Sequence, residues 1–162
     1  MKSADTWFQE YGESHKNPIN KAIHWLAVPA ILFASIGLFW AIPAPAGFRG
    51  VLPEPFEPLL NWGTLMVLGA LVFYWRLSFS IFLGMLLVSG VALWGNLLLA
   101  DCPCTSLWKA NLGLFLVAWV FQFIGHKIEG KKPSFLKDLQ FLLIGPAWLL
   151  HFIYKKLGVP YS

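Results

Sequence analysis

The chain has 162 residues, of which 57% are hydrophobic and only 12% charged, against about 25% charged in an ordinary globular domain. With nine Trp, fourteen Phe and a mean hydropathy of +0.63, it excludes a disordered, collagenous, coiled-coil or disulfide-stapled secreted chain and points to a polytopic membrane protein. The net charge of +4 reads as membrane topology, because cytoplasmic loops collect Lys and Arg, and nucleic acid is not an expected partner.

Residues 1 to 20 mix acids, aromatics and amides where a secretory signal would need a basic start followed by an apolar core, so no cleaved targeting segment is expected. Five apolar stretches follow, at 22 to 42, 58 to 75, 77 to 100, 110 to 125 and 139 to 154. Roughly 20 helical residues cross the hydrocarbon core. The first three stretches are long enough or nearly so, and the fourth is extended by Gln122 and His126. The fifth is short and interrupted by Gly145 and Pro146. Between the first two, the proline-rich loop over 43 to 58 reads as an ordered extracytoplasmic connection.

If four stretches span and the fifth only dips in, all twelve Lys and Arg except Arg49 and Lys109 fall on the side of the two termini. A fifth crossing would weaken that split to eight against four. The expected fold is therefore all-α: a polytopic helical bundle of about four transmembrane helices plus a C-terminal re-entrant or interfacial helical segment. Both termini are cytosolic, and residues 1–162 form a single integral membrane domain. Gly84, Ser89, Gly90 and Gly95 suit close helix packing. In Cys102-Pro-Cys104 a disulfide would be strained, so two free or environment-dependent thiols are expected.

Ligand-capable side chains are costly in a membrane, so the four histidines are natural places for function. On this topology His15, His24, His126 and His151 all lie at or near the cytosolic edge, a convergence that played no part in choosing it. Asn17 and Pro18 make a helix start, with an Asx cap and Pro at the first position. Asn20 and His24 share a face four residues apart, and a turn over Ser14 to Asn17 folds His15 back toward His24. Gln122, His126 and Glu129 form a polar stripe on an otherwise apolar helix. His151 follows the Gly145 and Pro146 break, which would return it to the same level.

These positions read as a metal site of three or four imidazoles, with Glu129, Gln122 and Asn20 as ligands or as groups that orient them. Imidazole suits iron, zinc, copper and nickel, and a nitrogen-rich site with open positions is compatible with redox-active Fe(II). The plainer alternative makes each His an interfacial hydrogen bonder; four together favour the site. Axial haem ligation by a facing pair also stays open.

The string from His15 through Asn20 to His24-Trp25, followed by Pro29, together with Gln122-Phe-Ile-Gly-His126-Lys-Ile-Glu129 and the downstream Pro133, resembles the family of membrane 2-hydroxy fatty acid dioxygenases that act in phytosphingosine breakdown. The resemblance runs over nearly the whole chain, with only residues 43 to 108 contributing hydrophobicity without a motif. It implies an Fe(II)-dependent α-oxidation, in which a 2-hydroxy fatty acid and dioxygen give the fatty acid one carbon shorter with release of carbon dioxide. The positions matching the family's functional histidines are His15, His24 and His126, and His151 joins them on topology. Glu129 is the expected carboxylate, orienting a histidine through its other ring nitrogen or ligating directly. Neither the two-His-one-carboxylate spacing of soluble oxygenases nor the HxxHH cluster of membrane desaturases is present.

On this reading the substrate chelates the metal through its carboxylate and hydroxyl oxygens while its acyl chain runs along the bundle toward the bilayer centre. Lys127, Lys131 and Lys132 are candidates to attract the carboxylate, although topology alone accounts for them. The competing readings are a non-enzymatic membrane lipid-binding or assembly protein, and a zinc-dependent lipid hydrolase with Glu129 as base. Expected partners are membrane lipids, in a bacterial inner membrane or an endoplasmic reticulum, with the site facing the cytosol. Oligomeric state and acyl-chain length stay open.

Overall fold

A computed structural model describes residues 2–48, 50–103, 105–133 and 140–161. Arg49, Cys104 and position 139 of the fifth apolar stretch, named above, lie outside the described residues. Among those described there is no strand, and the α-helices are α1 (Ala4–Gly12), α2 (Pro18–Trp40), α3 (Trp62–Leu77), α4 (Phe79–Ala100), α5 (Leu107–Glu129) and α6 (Phe141–Leu157). Two short 3-10 turns, Ala46–Phe48 and Glu54–Leu59, occupy the proline-rich loop.

Beside its apolar core the bundle buries polar groups, and it leaves many large apolar side chains outside. Asn96 and Asn111 are fully buried, whereas Leu26 is 79% and Leu87 71% exposed. In water this surface would aggregate; in lipid it is the stable arrangement, because amides gain only by meeting partners within the protein. Asn111 donates to the Asn96 carbonyl oxygen at 3.0 Å and Asn96 donates to the Phe33 carbonyl at 3.1 Å, which ties α5, α4 and α2 together. Helices α2, α4 and α5 are long and apolar enough to cross a membrane. The expected span over 58 to 75 is α3, apolar but 16 residues long, because Pro58 and its 3-10 turn delay the helix start to Trp62.

Small residues set the helix approach. A Cβ on Gly84 would fall 2.3 Å from the Tyr154 hydroxyl oxygen, and one on Gly95 2.8 Å from the Phe33 ring. Ser89 also faces inward. Gly90 departs from the expectation: it faces outward with nothing within 4 Å.

Helix α1 was absent from the sequence expectation. Ser3 caps it by accepting the Thr6 amide, and Ala4, Trp7, Phe8 and Tyr11 repeat at helical spacing along its buried face. That face lies on α6, with the Trp7 and Phe141 rings edge to face at 5.4 Å.

Helix α6 corrects the expected break. It runs unbroken through Gly145 and Pro146. Pro146 cannot donate to the carbonyl four residues back, which loosens that turn, and the Tyr74 hydroxyl donates to the adjacent Leu143 carbonyl at 2.7 Å. Eight of its residues are buried, from Phe141 to His151, so α6 is a core helix.

The cysteine expectation is also corrected: Cys102 is disulfide-bonded. The link from α4 to α5 turns at Asp101 and Pro103.

Candidate metal centre

Three helical segments converge on His15, His24 and His126. Helix α1 ends at Gly12, and the turn through Glu13 and Ser14 carries His15 beneath α2. Asn17 caps α2 by accepting the amides of Ile19 and Asn20, with Pro18 at the first helical position. That start sets His24 one turn past Asn20. Helix α5 runs alongside α2 and brings in His126 near its C-terminal end. One nitrogen from each of the three buried rings lies within 4.8 Å of the other two.

The protonation pattern follows from the carbonyls around the rings. His15 Nδ1 lies 2.6 Å from the Tyr11 carbonyl oxygen and His24 Nδ1 lies 2.8 Å from that of Asn20. A carbonyl only accepts, so both Nδ1 atoms carry their protons and both Nε2 atoms present lone pairs. Those two Nε2 atoms are 2.9 Å apart. Burial pushes His15 down to about 3 from 6.5, with the neighbouring His24 acting the same way, so protonation of His15 does not resolve the opposition. His126 Nδ1 is buried without a hydrogen-bond partner.

Two facing lone pairs and an orphaned third imidazole fit a cation. Two nitrogens about 2.0–2.1 Å from a shared ion stand roughly 3 Å apart, close to the separation seen here. That separation leaves no room for a porphyrin between His15 and His24, which disfavours the haem alternative.

Around this centre the supporting groups differ from the expected ones. Glu129 touches no imidazole through a hydrogen bond. Its carboxylate accepts from the Lys16 amide at 2.9 Å, the Asn17 amide at 2.8 Å and the Asn20 side-chain amide at 3.1 Å. It thus clamps the start of α2 to the end of α5, at the helix terminus where a negative charge is favoured. Backbone carbonyls do the orienting assigned to Glu129. Asn20 also donates to the Ser14 carbonyl at 3.1 Å, which holds the turn bearing His15. Gln122 lies one turn before His126, 6% exposed, with its carbonyl oxygen buried and unpartnered.

His151 does not join the cluster, and the four-imidazole expectation is corrected. The Trp148 ring stands between, 5.2 Å from His15 and 6.1 Å from His151. His151 instead stacks on Phe8 at 4.8 Å and its Nδ1 donates to the Trp148 carbonyl. Because α6 is unbroken, the turn holding Trp148 faces the site and His151 lies one turn too far on.

Tyr11 and Trp148 escaped the sequence reading. Tyr11 stacks on His15 with ring centres 4.2 Å apart and planes at 11°. The helical repeat ending at Tyr11, just four residues before His15, was the available signal; Trp148 offered none beyond the apolar run.

A cavity of about 300 Å³ opens from the cluster between α2, α3, α5 and α6. His126, Gln122 and Tyr11 line it near the histidines, and Phe39, Met66 and Phe115 line it farther along. Val28 to Phe39 on α2 and Phe115 to His126 on α5 both line it, a run of about 16 Å on each helix. Lys127, Lys131 and Lys132 are exposed and none lines it; Lys131 donates to the Glu13 carbonyl at 3.0 Å.

A family model described as 2-hydroxy-palmitic acid dioxygenase Mpo1-like matches residues 1–157. The 2-hydroxy-palmitic acid dioxygenase MPO1 of Saccharomyces cerevisiae is 31% identical over 147 residues, covering 89% of this chain and 75% of the yeast protein. No solved structure matches. The match takes in α1 to α6 and all three clustered histidines, and the chain belongs to the Mpo1-like family.

Proposed function

We propose that this protein is an iron-dependent 2-hydroxy fatty acid dioxygenase of the membrane, with His15, His24 and His126 holding the metal. The observation that carries the reading is the opposition of two Nε2 lone pairs at 2.9 Å beside a third buried imidazole, at the head of an apolar cavity. The name of the yeast relative supplies the substrate class. In the overall reaction a 2-hydroxy acid and dioxygen become the acid one carbon shorter, carbon dioxide and water. Iron bound by the three imidazoles would supply activation of dioxygen.

The chain's own residues do the rest. The carbonyls of Tyr11 and Asn20 hold two rings in one tautomer and leave their Nε2 atoms free to ligate. The apolar walls formed by Val28, Leu32 and Phe115 take the acyl chain and exclude water from the reacting end. Gln122 and His126 lie at that end, which places C1 and C2 beside the cluster. The distribution of Lys and Arg supports a cytosolic orientation for this end of the bundle.

A zinc hydrolase would need Glu129 as a base near a metal-bound water, and three hydrogen bonds hold that carboxylate elsewhere. A purely structural role leaves the opposed lone pairs unexplained. The test is metal content of protein purified without oxygen, wild type beside His126→Ala, followed by oxygen uptake and carbon dioxide release with 2-hydroxypalmitate. Iron in the wild type, its loss in the variant and equal uptake and release are expected. A metal-free wild type that stays inert after Fe(II) is added would overturn the reading.

A further inference from the structure

Gln122 is buried, lines the cavity one helical turn before His126, and its side-chain carbonyl oxygen has no hydrogen-bond partner. A buried acceptor without a donor is costly, and in a native fold it calls for an explanation. The cavity wall around it is apolar apart from Tyr11, Ser35, His126 and the indole N–H of Trp119. An amide carbonyl only accepts. An ionised carboxylate also only accepts, so an unsubstituted fatty acid brings this oxygen nothing, whereas a 2-hydroxy acid brings an O–H on the carbon next to the carboxylate.

We infer that Gln122 is the residue that selects the 2-hydroxyl group, its side-chain oxygen accepting that hydroxyl's hydrogen bond. The inference rests on the reading of the cavity as a fatty acid site and adds what the site discriminates. Sites built to hydrogen-bond a substrate hydroxyl reject analogues lacking it, because the protein group is left unpaired.

The test compares equilibrium binding of 2-hydroxypalmitate, 2-methoxypalmitate and palmitate to Fe(II)-loaded protein without oxygen, in wild type, Gln122→Leu and Gln122→Met. The methoxy acid keeps the oxygen and lacks the proton. The wild type should prefer the hydroxy acid to both others by at least about tenfold. In either variant the preference over the methoxy acid should collapse while palmitate affinity and iron content hold. Two apolar variants of different shape guard against one that fails to fold, and the wild-type comparison stands without either.

Three results overturn the proposal. A wild type indifferent to the hydroxyl proton does so, as does a preference that survives in a folded, iron-loaded variant. Parallel loss of iron and of all three acids would instead make Gln122 a support for His126. A wild type that binds none of the acids and consumes no oxygen is a separate result, in which the fatty acid reading itself fails.

Discussion

The Nε2 atoms of His15 and His24 face each other at 2.9 Å, each ring having committed its Nδ1 proton to a backbone carbonyl. With neither proton available between them, the pair is arranged so that it could hold a cation. Replacing either ring by alanine should therefore weaken iron binding beyond the roughly 10–100-fold typical of losing a supporting hydrogen bond. His151→Ala should leave iron content unchanged. Metal titration of the three single variants checks both statements, and equal effects at His15 and His151 would contradict the cluster.

The metal-free protein should lose stability in acid through His15. Its pKa falls from 6.5 to about 3 on folding, chiefly because burial disfavours the charged ring. Between those values the unfolded chain binds the proton and the folded one does not, so stability present above about 6.5 is lost as pH falls toward about 3. Melting of chelator-treated protein across this window should show a steeper decline for wild type than for His15→Gln. Parallel declines would mean that His15 does not titrate as its burial requires.

Removing the Glu129 clamp should act on structure and metal together. Glu129→Ala deletes an acceptor used by Lys16, Asn17 and Asn20, a loss of about 1–3 kcal/mol at this half-buried position. Because Asn20 supports both His24 and the turn bearing His15, iron affinity should fall about 10–100-fold. Chemical denaturation in detergent and metal titration read the two effects. A stable variant with native iron affinity would remove the clamp from the account.

Glycine substitutions separate site from scaffold. A Cβ on Gly125 would lie 2.4 Å from the Asn20 side-chain oxygen, and one on Gly37 2.1 Å from both the Asn96 oxygen and the Asn111 nitrogen. Each alanine variant should cost about 1–3 kcal/mol through overpacking, but only Gly125→Ala should also reduce iron content. Gly90→Ala meets nothing within 4 Å and should be neutral or gain up to about 1 kcal/mol from helix propensity. Thermal melts beside iron analysis distinguish the three.

Blocking the far end of the cavity should shorten the acids accepted. Met66 lines it beside Phe39 and Phe115, so Met66→Trp should lower turnover of the longest 2-hydroxy acids and spare shorter ones. An unchanged chain-length profile would place the acyl chain elsewhere.

Much of this was legible in the residue order, for reasons of solvent. A chain so apolar has few places to put imidazoles, amides and carboxylates, so the motifs around His15, His24 and His126 stand out against their surroundings. Long apolar runs located α2, α4 and α5, and Asn17 with Pro18 marked the start of α2. Helix α1 was legible too, in the repeat of Ala4, Trp7, Phe8 and Tyr11, yet its acids and amides masked it beside the longer apolar runs.

By itself, then, the order of residues determined the all-helical class, the apolar surface and the three histidines, because burial cost and helical period are local properties of the chain. Only the tertiary structure decided how the polar groups divide the work. Glu129 serves the α2 terminus because α5 ends there, and backbone carbonyls already orient two of the rings. His151 lies behind Trp148 because α6 stays helical through Pro146, where the local rule expects a break and packing against α1 and α4 overrides it. The lone oxygen of Gln122 is likewise a property of the packed bundle: spacing places it one turn from His126, and only the surrounding side chains leave it buried beside the cavity with no hydrogen-bond partner.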